Sequence, residues 1–77
     1  MPFIHLQITR DGVTAEQKAG VIAEFTETLQ RVLGKDPQST HIVISEVDTD
    51  NWGRGGETTT VIRRRGQSVQ AGSDREA

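Results

Sequence analysis

The 77-residue sequence contains no cysteine and no tyrosine, a single tryptophan, two phenylalanines and two prolines. Without cysteine there is neither a disulfide framework nor a thiolate metal site. The two histidines, His5 and His41, have no carboxylate companions at ligand spacing, so no metal is expected. No apolar run approaches the ~20 residues of a membrane span. The opening MPFIHLQITR has neither the basic start nor the apolar stretch of a secretion signal, so a cytoplasmic protein with no membrane partner is expected. An excess of positive charge is also missing. Nine basic against eleven acidic residues give a net charge of -2, which argues against nucleic acid as a partner. Large apolar side chains are scarce too: Val, Ile, Leu, Phe and Trp together number 19. Chains below roughly 80 residues bury too little surface to fold comfortably alone and commonly add a disulfide, a metal or a partner subunit. With the first two excluded, oligomerisation is the expected remedy.

What is present is patterned. From Phe3 to Thr9 the residues alternate, with Ile4, Leu6 and Ile8 on one side and Phe3, His5, Gln7 and Thr9 on the other, which predicts a strand with one apolar face. Thr14 and Gln17 have the spacing of a capping box and predict a helix start. Val21, Ile22, Phe25, Leu29, Val32 and Leu33 then recur at three- and four-residue steps, and Glu27 with Arg31 forms a favourable helical pair. Gly34 and Asp36-Pro37 end the helix near Leu33. His41 to Val47, rich in β-branched residues, reads as a second strand. A helix between two strands about thirty residues apart is most simply a right-handed β-α-β unit with parallel pairing. Asp48 to Gly56 reads as a turn region, and Thr58 to Ile62 as a short third strand or hairpin arm. The expected fold class is therefore α+β, a β-α-β subunit with parallel strands plus a short C-terminal hairpin, completed by oligomerisation. Residues 1–65 form the domain, and residues 66–77, with Val69 as their only large apolar side chain, are expected to be a polar, disordered tail.

The residue with the most distinctive chemistry is Pro2. Removal of Met1 leaves the Pro2 nitrogen a secondary amine, which acts as a base once burial or a neighbouring cation disfavours its charged form. A strand that begins at Phe3 would hold that amine in place. Other constellations fail. Asp48 to Gly53 begins like a calcium loop, but Trp52 and Thr59 stand where ligands are needed. Gly53-Arg54-Gly55-Gly56 lacks the lysine of a phosphate-binding loop and suits a hairpin with unusual dihedrals. Arg63-Arg64-Arg65 reads as a solvated basic segment.

Taken together, Pro2-Phe3-Ile4, the run Val13 to Lys18, the strand Ile42 to Glu46 and the turn Asn51 to Gly56 resemble the 4-oxalocrotonate tautomerase family over about residues 2 to 65. The resemblance implies a β-α-β subunit that pairs into dimers with a four-stranded sheet, three dimers making a hexamer. It also implies a cofactor-free isomerase of aromatic degradation, in which the terminal proline moves a proton within a small enol or keto carboxylate. Pro2 would be the general base and acid. The family's arginines bind substrate carboxylates: Arg10 stands in the loop where one of them lies, and His41 falls where the other, supplied across a subunit interface, would be. That histidine is a departure, since imidazole cannot make the bidentate fork of a guanidinium. His41 is read either as a weaker substrate donor or as a strand-start residue at an interface. Arg54, or Arg63 to Arg65, could supply the missing charge. Trp52 occupies the position of the family's site-wall aromatic and serves equally as an interface anchor.

Two further readings stay open. One is a hydratase-type dehalogenase or decarboxylase in which a charged proline works with an activated water. The other is a non-catalytic oligomeric or binding subunit of the same fold.

Overall fold

A computed structural model describes residues 1–69, which divide into two compact units with the boundary between Glu46 and Val47. The first unit is the expected β-α-β arrangement. Strand β1 runs Phe3–Thr9, and along it Ile4, Leu6 and Ile8 are half-buried while Phe3, His5 and Gln7 are exposed, as the period of two requires. Strand β2 is His41–Val47 and pairs with β1. The two strands are parallel. Three contacts follow this direction: the His41 amide donates to the Pro2 carbonyl at 3.0 Å where both strands begin, His5 Nε2 lies 2.8 Å from Ser45 Oγ further along, and Arg10 reaches Glu46 where both end.

Helix α1, Ala15–Leu33, makes the crossover between them. Its start is the capping box read from Thr14 and Gln17: the Gln17 amide donates to Thr14 Oγ1 at 3.1 Å, and the Thr14 amide donates to Gln17 Oε1 at 2.9 Å. Gly34 ends the helix in the left-handed region at φ 70, where its N–H donates to the Gln30 carbonyl while that of Lys35 reaches Leu29. The Asp36 carboxylate then accepts the Gln38 amide at 3.0 Å and starts the short 3-10 turn Pro37–Ser39, which delivers the chain to β2.

The helix stripe is only partly covered. Lys18, Val21, Phe25 and Leu29 are half-buried, whereas Ile22, Val32 and Leu33 remain exposed, the last two at 61% and 60%. Width is the reason: two strands about 4.8 Å apart make a ribbon no broader than one helix of ~10 Å diameter, so the flanks of the stripe overhang it. The opposite face of the sheet is bare, with Phe3 64% and Val43 43% exposed. Among the described residues no hydrophobic side chain is buried within one copy of the chain.

The second unit opens on a 3-10 turn, Thr49–Asn51, and a hairpin of β3, Gly53–Arg54, and β4, Glu57–Thr58, paired antiparallel with Gly53 opposite Thr58 and Arg54 opposite Glu57. Gly55 and Gly56 form its two-residue turn at φ 64 and 86, the doubly positive geometry of a type I′ connection. Here the structure departs from the sequence expectation. Of Thr58 to Ile62, only Thr58 is in a strand, and Thr59–Val69 is a second helix, α2. The β-branched run is overruled by its own hydroxyls. Thr58 Oγ1 accepts the Val61 amide, Thr59 donates its amide and its hydroxyl to the Trp52 carbonyl, and Thr60 donates to the Asp50 carboxylate. The Thr58 hydroxyl satisfies one amide that a first helical turn otherwise leaves unpaired, the Trp52 carbonyl satisfies another, and the Thr59 and Thr60 hydroxyls tether that turn to the segment before the hairpin. The helix takes in Gly66 to Val69, past the point where a tail from residue 66 was expected, and the rest of that expectation, 70–77, lies outside the described residues. No helix among the described residues is long and apolar enough to cross a membrane.

The substitution Thr14→Ala removes the hydroxyl arm of the capping box and should cost about 1 kcal/mol. A lower urea midpoint with an unchanged dependence on denaturant is the expected result.

Candidate active site

Pro2 stands immediately before β1 and is half-buried, while Met1 projects into solvent at 85% exposure. The Pro2 carbonyl is held in the sheet by the His41 amide at 3.0 Å. Proline has no backbone N–H to donate, so this single bond and the fixed ring torsion locate its nitrogen. That bond lies on the C-terminal side of the Pro2 nitrogen and does not involve Met1.

His41 thus enters the site through its main chain. Its imidazole belongs to the exposed sheet face, in line with Val43 and Ser45 on β2, and Ser45 is engaged by His5 across the strands. Arg10 lies one residue beyond the end of β1. Eight extended residues at ~3.3 Å each put it about 26 Å from Pro2 in the same copy, well beyond the reach of a guanidinium plus a small enol acid. Pro2 and His41 are therefore brought together at one end of the sheet, and Arg10 is left at the other.

At that other end Arg10 meets Glu46, the last residue of the first unit. Arg10 Nη2 donates to the Glu46 main-chain carbonyl at 3.3 Å, and Nη1 lies 3.8 Å from Oε1. Lys18, from the first turns of α1, donates to the same Oε1 at 2.6 Å. The Glu46 side chain is only 14% exposed. A carboxylate so withdrawn from water needs cationic donors, and two converge on it. Neither Glu46 nor Lys18 was among the sequence-predicted site residues. The signal was present in the alternation of β2, where Glu46 shares the inward parity of Ile42 and Ile44 and so demands a partner.

Trp52 and Arg54 belong to the second unit. Trp52 is half-buried, and its carbonyl accepts the Thr59 amide at 2.8 Å and the Thr59 hydroxyl at 3.0 Å, so the residue is fixed where the hairpin meets α2. Arg54 is exposed on β3 opposite Glu57, whose carboxylate is held by both terminal nitrogens of Arg65. Of the three consecutive arginines, Arg65 thus braces the hairpin.

The family model described as tautomerase enzyme matches residues 2–62. This chain belongs to the tautomerase family. Among its relatives, the probable tautomerase K2 of Dickeya dadantii is 55% identical over 64 residues, covering 83% of this chain and 96% of that protein. The 2-hydroxymuconate tautomerase of Pseudomonas putida is 33% identical over 64 residues, covering 83% of this chain and all of that one. Among solved structures, a 4-oxalocrotonate tautomerase isozyme of Methylibium petroleiphilum superposes with a TM-score of 0.77 at 28% identity, covering 83% of this chain and 98% of that one. The tautomerase is thus of the 4-oxalocrotonate branch, an isomerase by class, on the β-α-β fold with a short C-terminal hairpin.

Replacing Lys18 by methionine leaves the withdrawn Glu46 carboxylate without its shortest hydrogen bond. The tautomerase variant should lose about 2 kcal/mol of stability, read from denaturant unfolding.

Proposed function

We propose that the chain, once Met1 is removed, is a cofactor-free keto-enol tautomerase of small 2-hydroxy-dienoate or enolpyruvate-type carboxylates, with the Pro2 amine as base and acid. The observation that carries this reading is the sheet bond from the His41 amide to the Pro2 carbonyl, which ties Pro2 to the start of the sheet without involving Met1. A neutral secondary amine has one lone pair and no competing resonance. It takes the proton of the substrate 2-hydroxyl as those oxygen electrons form the carbonyl, and the chain of double bonds shifts toward a distal carbon. The resulting ammonium returns its proton to that carbon. One group serves both steps, no atom is gained or lost, and the amine emerges neutral.

In this reading Arg10 pairs with the substrate carboxylate, Trp52 keeps water from the amine, and His41 and Arg54 are secondary donors. Because Arg10 stands about 26 Å from the Pro2 of its own copy, the arginine at each site comes from another copy. An antiparallel pairing of two copies achieves this, since it lays the end of one β1 beside the start of the other. The bare Phe3 and Val43 face and the overhanging Val32 and Leu33 support the same homo-oligomer, a dimer or a hexamer. Activity on 2-hydroxymuconate, after the Pseudomonas putida relative, is the first substrate to test.

Protein with a residue left in front of Pro2, whose nitrogen is then a tertiary amide, should lose at least about a hundredfold in turnover while its circular dichroism and oligomeric mass stay unchanged. Full activity in the blocked form would rule Pro2 out as the base. The unblocked enzyme should slow as pH is lowered and the amine takes up its proton.

Mixing blocked chains with Arg10→Ala chains after mild dissociation should restore a kcat/KM that neither parent has. The hybrid contains sites with an intact Pro2 from one copy and an intact Arg10 from the other. No recovery would place both residues of a site in one copy.

A further inference from the structure

Arg10 sits on an exposed loop start, and its guanidinium is 56% exposed. A long side chain so placed explores many rotamers, and ordering one on substrate binding costs that freedom. Residue 46 limits that search. Its main-chain carbonyl accepts Arg10 Nη2 at 3.3 Å, and its carboxylate attracts Nη1 at 3.8 Å, so two oxygens of one residue address the two terminal nitrogens of the guanidinium. The main-chain oxygen is fixed by β2, and the side chain is fixed by Lys18 at 2.6 Å.

A carboxylate beside a substrate-binding arginine would ordinarily defeat its purpose by cancelling the charge that attracts an anion. Lys18 removes that objection. Its ammonium takes the short bond to Glu46 Oε1, the arginine keeps the longer one, and the three side chains together retain one positive charge. We propose that Glu46 is a positioning residue for substrate binding, holding the Arg10 guanidinium in a restricted orientation while Lys18 offsets the carboxylate charge. The inference rests on the reading of Arg10 as the carboxylate anchor.

The test is a double-mutant cycle on Arg10→Ala and Glu46→Gln, assayed with phenylenolpyruvate on oligomeric enzyme with a verified Pro2 terminus. Glutamine keeps the shape, the main-chain carbonyl and one oxygen acceptor but loses the charge that orients both cations. Glu46→Gln should raise KM about five- to tenfold with kcat within about twofold. In the Arg10→Ala background the same change should leave KM where Arg10→Ala alone has put it, because the residue to be positioned is gone. Two results overturn the proposal while leaving Arg10 as anchor: an unchanged KM in Glu46→Gln, or a Glu46→Gln effect that multiplies fully onto Arg10→Ala. If Arg10→Ala itself leaves KM unchanged, the anchor reading falls and the positioning role falls with it.

Should Glu46→Gln fail to assemble, the unsubstituted protein carries the test. The 15N signals of the Arg10 guanidinium should show slow rotation about Nε–Cζ without substrate, set apart from exposed Arg64. Rotation as fast as that of Arg64 overturns the proposal.

Discussion

The width of a two-stranded parallel sheet governs this molecule. One helix laid on such a ribbon leaves its own flanks overhanging and the far face of the sheet open. The exposed Phe3, Val43, Val32 and Leu33 and the lack of any buried apolar side chain among the described residues follow from that geometry. No further strand among the described residues widens that sheet, since β3 and β4 pair with each other. In the proposed reading, the catalytic chemistry lies where a second copy also sits.

The chemistry proposed for Pro2 depends on the same sheet. Proline is disfavoured within a strand because it cannot donate, yet just before one it costs nothing, and its carbonyl still accepts from the neighbouring strand. The His41 amide supplies that bond, which gives His41 a role through its main chain whatever its imidazole does. At the opposite end of the strands, Glu46 ties α1 to β2 through Lys18 and β2 to the loop through Arg10. The element that closes the crossover is thus also the element that orients the cation proposed to bind substrate.

Much of the first unit was legible along the chain. The alternation at Ile4, Leu6 and Ile8, the Thr14 and Gln17 capping box and the Gly34 terminus are local signals, and the structure has them at those positions. The region after Trp52 was less legible. Thr58 to Ile62 has the β-branched composition of a strand, but the Thr58 hydroxyl accepts the Val61 amide and the Thr59 and Thr60 hydroxyls tether the turn to Trp52 and Asp50, and α2 starts there instead. Propensity describes a residue in an average setting, and one capping hydroxyl with two tethering ones around one turn is not an average setting.

The amino-acid sequence by itself determined the order of the first three elements, the start and stop of α1, the hairpin glycines and the presence of a proline able to become a terminal amine. Each is set by interactions within a few residues of chain. The tertiary structure alone decided that the His41 amide meets the Pro2 carbonyl, that Glu46 gathers Lys18 and Arg10 onto one carboxylate, and that two strands are too narrow for the helix above them. These depend on the register at which the second strand and the helix meet the first, contacts between residues far apart along the chain whose partners no local pattern names.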